Sequence, residues 1–99
     1  MRAVRSIGDD LAAWRKLRGL TQAQLADRAG VARTTVVRLE GGDAGVSLEN
    51  VLRVARALGI LEAVPRAFDP YESDVGRLRS EEQLPQRVRP RGFRQPDDG

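Results

Sequence analysis

What this chain lacks limits the chemistry it can do. Its 99 residues include no histidine and no cysteine. A serine or threonine has no imidazole to activate it, no thiolate is available as nucleophile or ligand, and no glycine loop matches a nucleotide-binding motif. The 14 carboxylates are not spaced as metal ligands. No catalytic residue, metal site or cofactor is therefore expected. Recognition remains, and the side chains suited to it are guanidinium groups: all but one of the 17 basic residues are arginine. A guanidinium is a planar fork that fits phosphate oxygens or the O6 and N7 edge of guanine. The same bias follows from GC-rich coding, so position matters more than number. Arg33 and Arg38 stand with Thr34 and Val37 in the run RTTVVRLE, where the apolar residues Val36 and Leu39 leave those four side chains on the opposite face.

These residues need a helix braced by another, and residues 21–40, TQAQLADRAGVARTTVVRLE, read that way. Thr21 is a good N-cap, and Gln24 lies three residues on, the spacing of a capping box. Leu25, Ala26 and Ala29 share one face, and Gly30 is the usual residue for a left-handed helix end. This gives one helix over about 21–29 and a second over about 33–40, stopped by Gly41 and Gly42. A helix with the exterior Arg33, Thr34, Val37 and Arg38, braced across a short turn, suits insertion into the DNA major groove. Either arginine can bond guanine, Thr34 and Thr35 can reach phosphate or a base edge, and Val37 suits a thymine methyl. The bland alternative is that one arginine touches phosphate alone.

The segment resembles the helix-turn-helix of the lambda-repressor-like (XRE) family. The matching residues are Leu20, Thr21-Gln22, Leu25-Ala26, Gly30-Val31, Val36, Leu39-Glu40 and Gly41, within a resemblance that spans roughly residues 7–60. It implies an all-α, five-helix DNA-binding domain with a flexible C-terminal tail. It also implies that Gln22 bonds a DNA phosphate, that loop amides after the reading helix, Gly42 among them, face phosphate, and that Arg15 pairs with Glu40. The loop departs from the family pattern, because Asp43 is acidic and no Lys or Arg accompanies it.

The remaining chain divides accordingly. Residues 1–6 read as a short arm, with Arg2 and Arg5 near phosphate or the minor groove, or merely frayed and solvated. Residues 7–68 form the domain. Its first helix runs from Ile7 or Gly8 to Arg18, with Asp9 and Asp10 in the first turn and Ile7, Leu11, Trp14 and Leu17 on the inward face. Ser47 caps a fourth helix to Leu58, whose buried stripe is Leu48, Val51, Leu52, Ala55 and Leu58. A short or kinked fifth helix follows, in which Pro65 is tolerable only near the first turn. Residues 1–68 hold 11 basic against 7 acidic groups, and residues 69–99 hold 6 against 7, so the positive charge lies in the helical part. Residues 69–99 carry four of the five prolines and read as a largely disordered tail. Within it Val75, Arg77, Leu78 and Arg79 form an apolar and basic island suited to a protein partner, although an inert tail or extra DNA backbone contact fits the same composition.

The function expected is that of a sequence-specific repressor on double-stranded DNA. A homodimer on a near-palindromic operator follows from the small groove area that one short helix covers. The stretch VSLENVLRVARALGILEA with the Arg- and Pro-containing tail resembles small HipB-type antitoxins. That resemblance implies autoregulation of an operon and neutralisation of a HipA-like kinase toxin. The alternatives are a free-standing phage-type or controller-type regulator, and an adaptor that uses the same fold on protein. With no run of about 18 apolar residues and no signal-peptide pattern, a cytoplasmic protein without membrane contact is expected.

Overall fold

A computed structural model of the chain describes residues 1–83. Six α-helices follow one another: α1 (Arg2–Leu17), α2 (Gln22–Ala29), α3 (Arg33–Glu40), α4 (Leu48–Leu58), α5 (Ala63–Phe68) and α6 (Asp74–Gln83), with a 3-10 turn at Pro70–Glu72 before α6. There is no strand among the described residues. Residues 1–65 make one compact unit and a second begins at Arg66.

The first unit closes around one apolar cluster. Leu25, Val36, Val54 and Leu58 are its largest fully buried side chains, and Leu11, Leu20, Ala26, Ala29 and Leu39 complete it. Each of the leucine and valine side chains removed from water stabilises the fold by roughly 1.5–3 kcal/mol. Helix ends are fixed by local chemistry. The Thr21 hydroxyl accepts the Gln24 amide at 3.0 Å, and the Gln24 side chain accepts the Thr21 amide at 2.9 Å, closing both halves of the capping box. Ser47 accepts the Asn50 amide at 3.1 Å and starts α4.

The first helix differs from the sequence expectation in both start and phase. It begins at Arg2, so residues 2–6 are helical rather than an arm, and Asp9 and Asp10 lie in its middle. Its early turns pack on the loop after α3, where a Cβ at Gly42 would come within 3.1 Å of Arg5 Cα. The inward stripe is Gly8, Leu11 and Arg15, with Ile7, Trp14 and Leu17 exposed. Gly8 decides this phase: a Cβ there would stand 2.5 Å from the Leu39 carbonyl oxygen and 2.9 Å from that of Glu40. Trp14 instead lies beside the Arg18 guanidinium, 5.3 Å from its ring centre. In α4 the stripe is also rotated, with Val54 buried and Leu48 exposed.

Pro65 is the third residue of α5, where its missing N–H interrupts no intrahelical bond. In the second unit the segment expected to be a flexible tail contains α6. Ser73 Oγ accepts the Gly76 amide at 2.9 Å at its start, and Arg77 bonds the Tyr71 carbonyl at 2.6 Å. The five-helix expectation thus gains a sixth helix, built on this local capping. The remainder of the tail, residues 84–99, lies outside the described residues.

Candidate nucleic-acid interface

Two helices and the turn between them position the candidate residues. Val36 and Leu39 are buried, which leaves Arg33, Thr34, Val37 and Arg38 exposed. Offsets of three and four residues link these positions, so they lie on one face of α3. Thr35, half-buried, sits at the edge of that face. The exposed surface therefore presents two guanidinium groups, a hydroxyl and one branched apolar side chain. That set can donate in pairs to flat acceptor edges and make apolar contact with a methyl group.

Beneath this surface, α3 is tied to the other helices by a largely buried polar cluster. Arg15 Nε donates to Glu40 Oε2 at 2.7 Å, and its Nη2 donates to Oε1 at 3.1 Å. The third nitrogen, Nη1, donates to the Leu20 carbonyl at 2.8 Å, at the start of the approach to α2. Gln22 Nε2 donates to Glu40 Oε1 at 3.0 Å. The Arg15 and Glu40 side chains are 13% and 7% exposed, respectively, so the pair is shielded from water rather than spread on the surface. One carboxylate thus joins α1, α2 and the last residue of α3. The two residues expected to pair are brought together, and Gln22 is oriented by the same carboxylate.

The loop after α3 returns on the helix through two backbone bonds. The Gly42 amide donates to the Leu39 carbonyl at 3.0 Å, and the Asp43 amide donates to the Arg38 carbonyl at 3.0 Å. This is the Schellman pattern of helix ending, and it requires a left-handed residue, which Gly42 supplies with φ of 83°. The Gly42 amide, expected to face phosphate, thus has a partner within the fold, at a residue that is itself half-buried. Asp43, which the sequence presented only as a departure, is an acceptor for the exposed face of α3. Its Oδ2 accepts from Arg38 Nε at 2.7 Å, and its Oδ1 accepts the Gly45 amide at 2.7 Å. The bond from Arg38, and then that from Gly45, hold the Asp43 carboxyl below the usual carboxylate range. The same contact raises Arg38 further above neutrality. The sequence signal was present in Gly-Gly-Asp: a glycine two residues past the helix brings the next side chain beside the residue five positions back.

The candidate partner residues belong to the second unit. Val75, Leu78 and Arg79 are exposed on α6, whereas Arg77 is tied to Asp74 and to the Tyr71 carbonyl. Among the described residues, no group of acidic side chains could hold a metal ion and no helix is long and apolar enough to cross a membrane.

With that geometry in view, the chain can be set beside known proteins. The model of the helix-turn-helix family matches residues 11–63, which include α2, α3, α4 and the C-terminal part of α1. A stretch of 45 residues is 53% identical to a protein of Methanothermobacter thermautotrophicus named as an uncharacterised HTH-type transcriptional regulator. The stretch covers 46% of this chain and 65% of that relative, just under two thirds of its length. The all-helical architecture, the capped α2, the exposed face of α3 and the extent of the family match agree: the chain belongs to the lambda-repressor-like helix-turn-helix family.

Proposed function

We propose that the chain is a sequence-specific regulator that binds double-stranded DNA through α3 and represses transcription by occupying an operator. The observation that carries this is the exposed face of Arg33, Thr34, Val37 and Arg38 over a braced helix. In this reading Arg33 and Arg38 address base edges, Thr34 and Val37 complete the contact, and Gln22 and Thr35 meet the flanking phosphates. The phosphate contacts fix register, and the base contacts supply discrimination. The name of the Methanothermobacter relative, an HTH-type transcriptional regulator, supports the same role. A binding regulator of this kind needs no catalytic group, and it acts in the cytoplasm.

The short α3, eight residues long, covers only part of a site, so a homodimer on a near-palindromic operator is proposed, with half-sites about 34 Å apart. Selection from a pool of random duplexes, followed by the mass of the complex, tests this. A two-fold sequence bound by two chains supports it, and an unenriched pool removes the DNA-binding reading. The finer role of a HipB-type antitoxin rests on the resemblance of residues 46–63 and on the exposed Val75 and Leu78 of α6. Co-purification with the product of the adjacent gene tests that role. A stoichiometric kinase-like partner supports it, and a homodimer without one leaves a free-standing regulator.

A further inference from the structure

We infer that Asp43 sets base preference without touching DNA, as a positioning residue that holds Arg38 in one orientation; the inference rests on α3 being the DNA-reading helix. The path from sequence to this arrangement is short. Gly42 turns the chain into the left-handed region, and the Asp43 amide returns to the Arg38 carbonyl at 3.0 Å. This places the side chains of residues 38 and 43 together. The Asp43 carboxylate then takes Arg38 Nε at 2.7 Å with one oxygen and the Gly45 amide at 2.7 Å with the other. The carboxylate is thereby anchored to the loop backbone through Oδ1, which leaves Oδ2 for Arg38. A Cβ at Gly45 would stand 3.1 Å from Asp43 Oδ1 and 3.2 Å from Arg38 Nη2, so the loop also closes tightly over the pair.

The consequence follows from the shape of the guanidinium. Arg38 is a long side chain at an exposed position, and ordering it on a base opposes binding through lost rotamer freedom. A carboxylate fixed on Nε removes part of that freedom before DNA arrives. The Nη end of the fork keeps donors for two parallel bonds, the number that guanine O6 and N7 accept. The Arg38 side chain remains 51% exposed even with Nε held. Asp43 also places a negative charge beside a DNA-facing surface, where it opposes phosphate. The arrangement weakens binding to all DNA and strengthens the choice among sequences. It also supplies the reason why a family loop expected to be basic is acidic here.

The alternative role for the same pair is a lock, in which Asp43 withholds Arg38 from DNA. The two roles give opposite results. The full-length chain and its Asp43→Ala and Asp43→Asn variants would be titrated with the duplex selected by the wild type, with duplexes changed at one G·C pair at a time, and with an unrelated duplex. The positioning role expects Asp43→Ala to lower discrimination by roughly tenfold at the pair that Arg38→Ala also relaxes. Binding to the unrelated duplex should hold or tighten. In the Arg38→Ala background, Asp43→Ala should cause no further loss at that pair. Asp43→Asn keeps an acceptor for the Gly45 amide, so it should preserve the loop while still lowering discrimination. Unchanged or improved discrimination in both Asp43 variants overturns the inference in favour of the lock or of a passive surface pair. Retained preference in Arg38→Ala overturns it as well. If the wild type selects no sequence, the DNA-reading premise fails and takes the inference with it, a result distinct from intact discrimination in the Asp43 variants.

Discussion

Arg15 shows how much of this fold depends on single side chains. Its three guanidinium nitrogens reach Glu40 and the Leu20 carbonyl, and Gln22 adds a further bond to the same carboxylate. Removing one member leaves a charge in a site largely closed to water, which destabilises by about 3–5 kcal/mol. Arg15→Met or Glu40→Leu alone should therefore unfold at markedly lower urea, whereas the double variant should recover part of the loss. Additive losses in the double-mutant cycle would contradict a buried, coupled pair. The exposed pair behaves differently. Asp43 titrates below its ordinary range because Arg38 and the Gly45 amide bond its charged form. A carboxylate depressed in the folded state stabilises above its unfolded pKa, and that contribution is lost as pH falls through the folded value. Carboxyl NMR of Asp43 should therefore show a midpoint below the usual Asp range in the wild type. It should move upward in Arg38→Ala, and an unmoved midpoint would exclude the contact in solution.

At the level of elements, legibility followed local chemistry. The spans of α2 and α3 could be read from Thr21, Gln24, Gly30 and the Gly41-Gly42 stop, and the start of α4 from Ser47, because caps act within a few residues. The phase of α1 could not. Its apolar residues Ile7, Leu11, Trp14 and Leu17 make a convincing inward stripe, yet three of them are exposed. The inward face was chosen instead by an absent side chain at Gly8 and by a charged one at Arg15, neither of which counts as apolar. Likewise the role of Asp43 was signalled only indirectly, by the turn that Gly42 makes, since its partner lies on the preceding helix. Gly8 offers a direct test. Alanine has the higher helix propensity, by about 0.5–1 kcal/mol. Its methyl would nevertheless meet the Leu39 and Glu40 carbonyl oxygens within 2.5 and 2.9 Å. Gly8→Ala should destabilise by about 1–3 kcal/mol through overpacking, measured by thermal or urea unfolding. A gain in stability would mean that α1 does not pack on the end of α3 this closely.

For the whole molecule, every residue of the apolar cluster lies between Leu11 and Leu58, inside the first unit. Among the described residues, none beyond Leu58 is a buried member of it. A chain ending at Phe68 should therefore unfold cooperatively with a midpoint close to that of the full chain, followed by circular dichroism. A large drop, or loss of cooperativity, would show that residues beyond 68 are needed to complete the core. The positive charge resides in that same part of the chain, 11 basic residues against 7 acidic over residues 1–68, which matches the placement of a phosphate-facing surface. The central claim is that this unit reads DNA through α3. The most direct measurement is the affinity of the full chain for its selected duplex across a range of salt, for the wild type and for the variant carrying both Arg33→Ala and Arg38→Ala. The account expects the wild-type affinity to fall steeply with salt, as released counterions require, and the double variant to lose sequence preference while remaining folded. Equal affinity for selected and unrelated duplexes in the wild type, or an unaltered preference in the folded double variant, would contradict it.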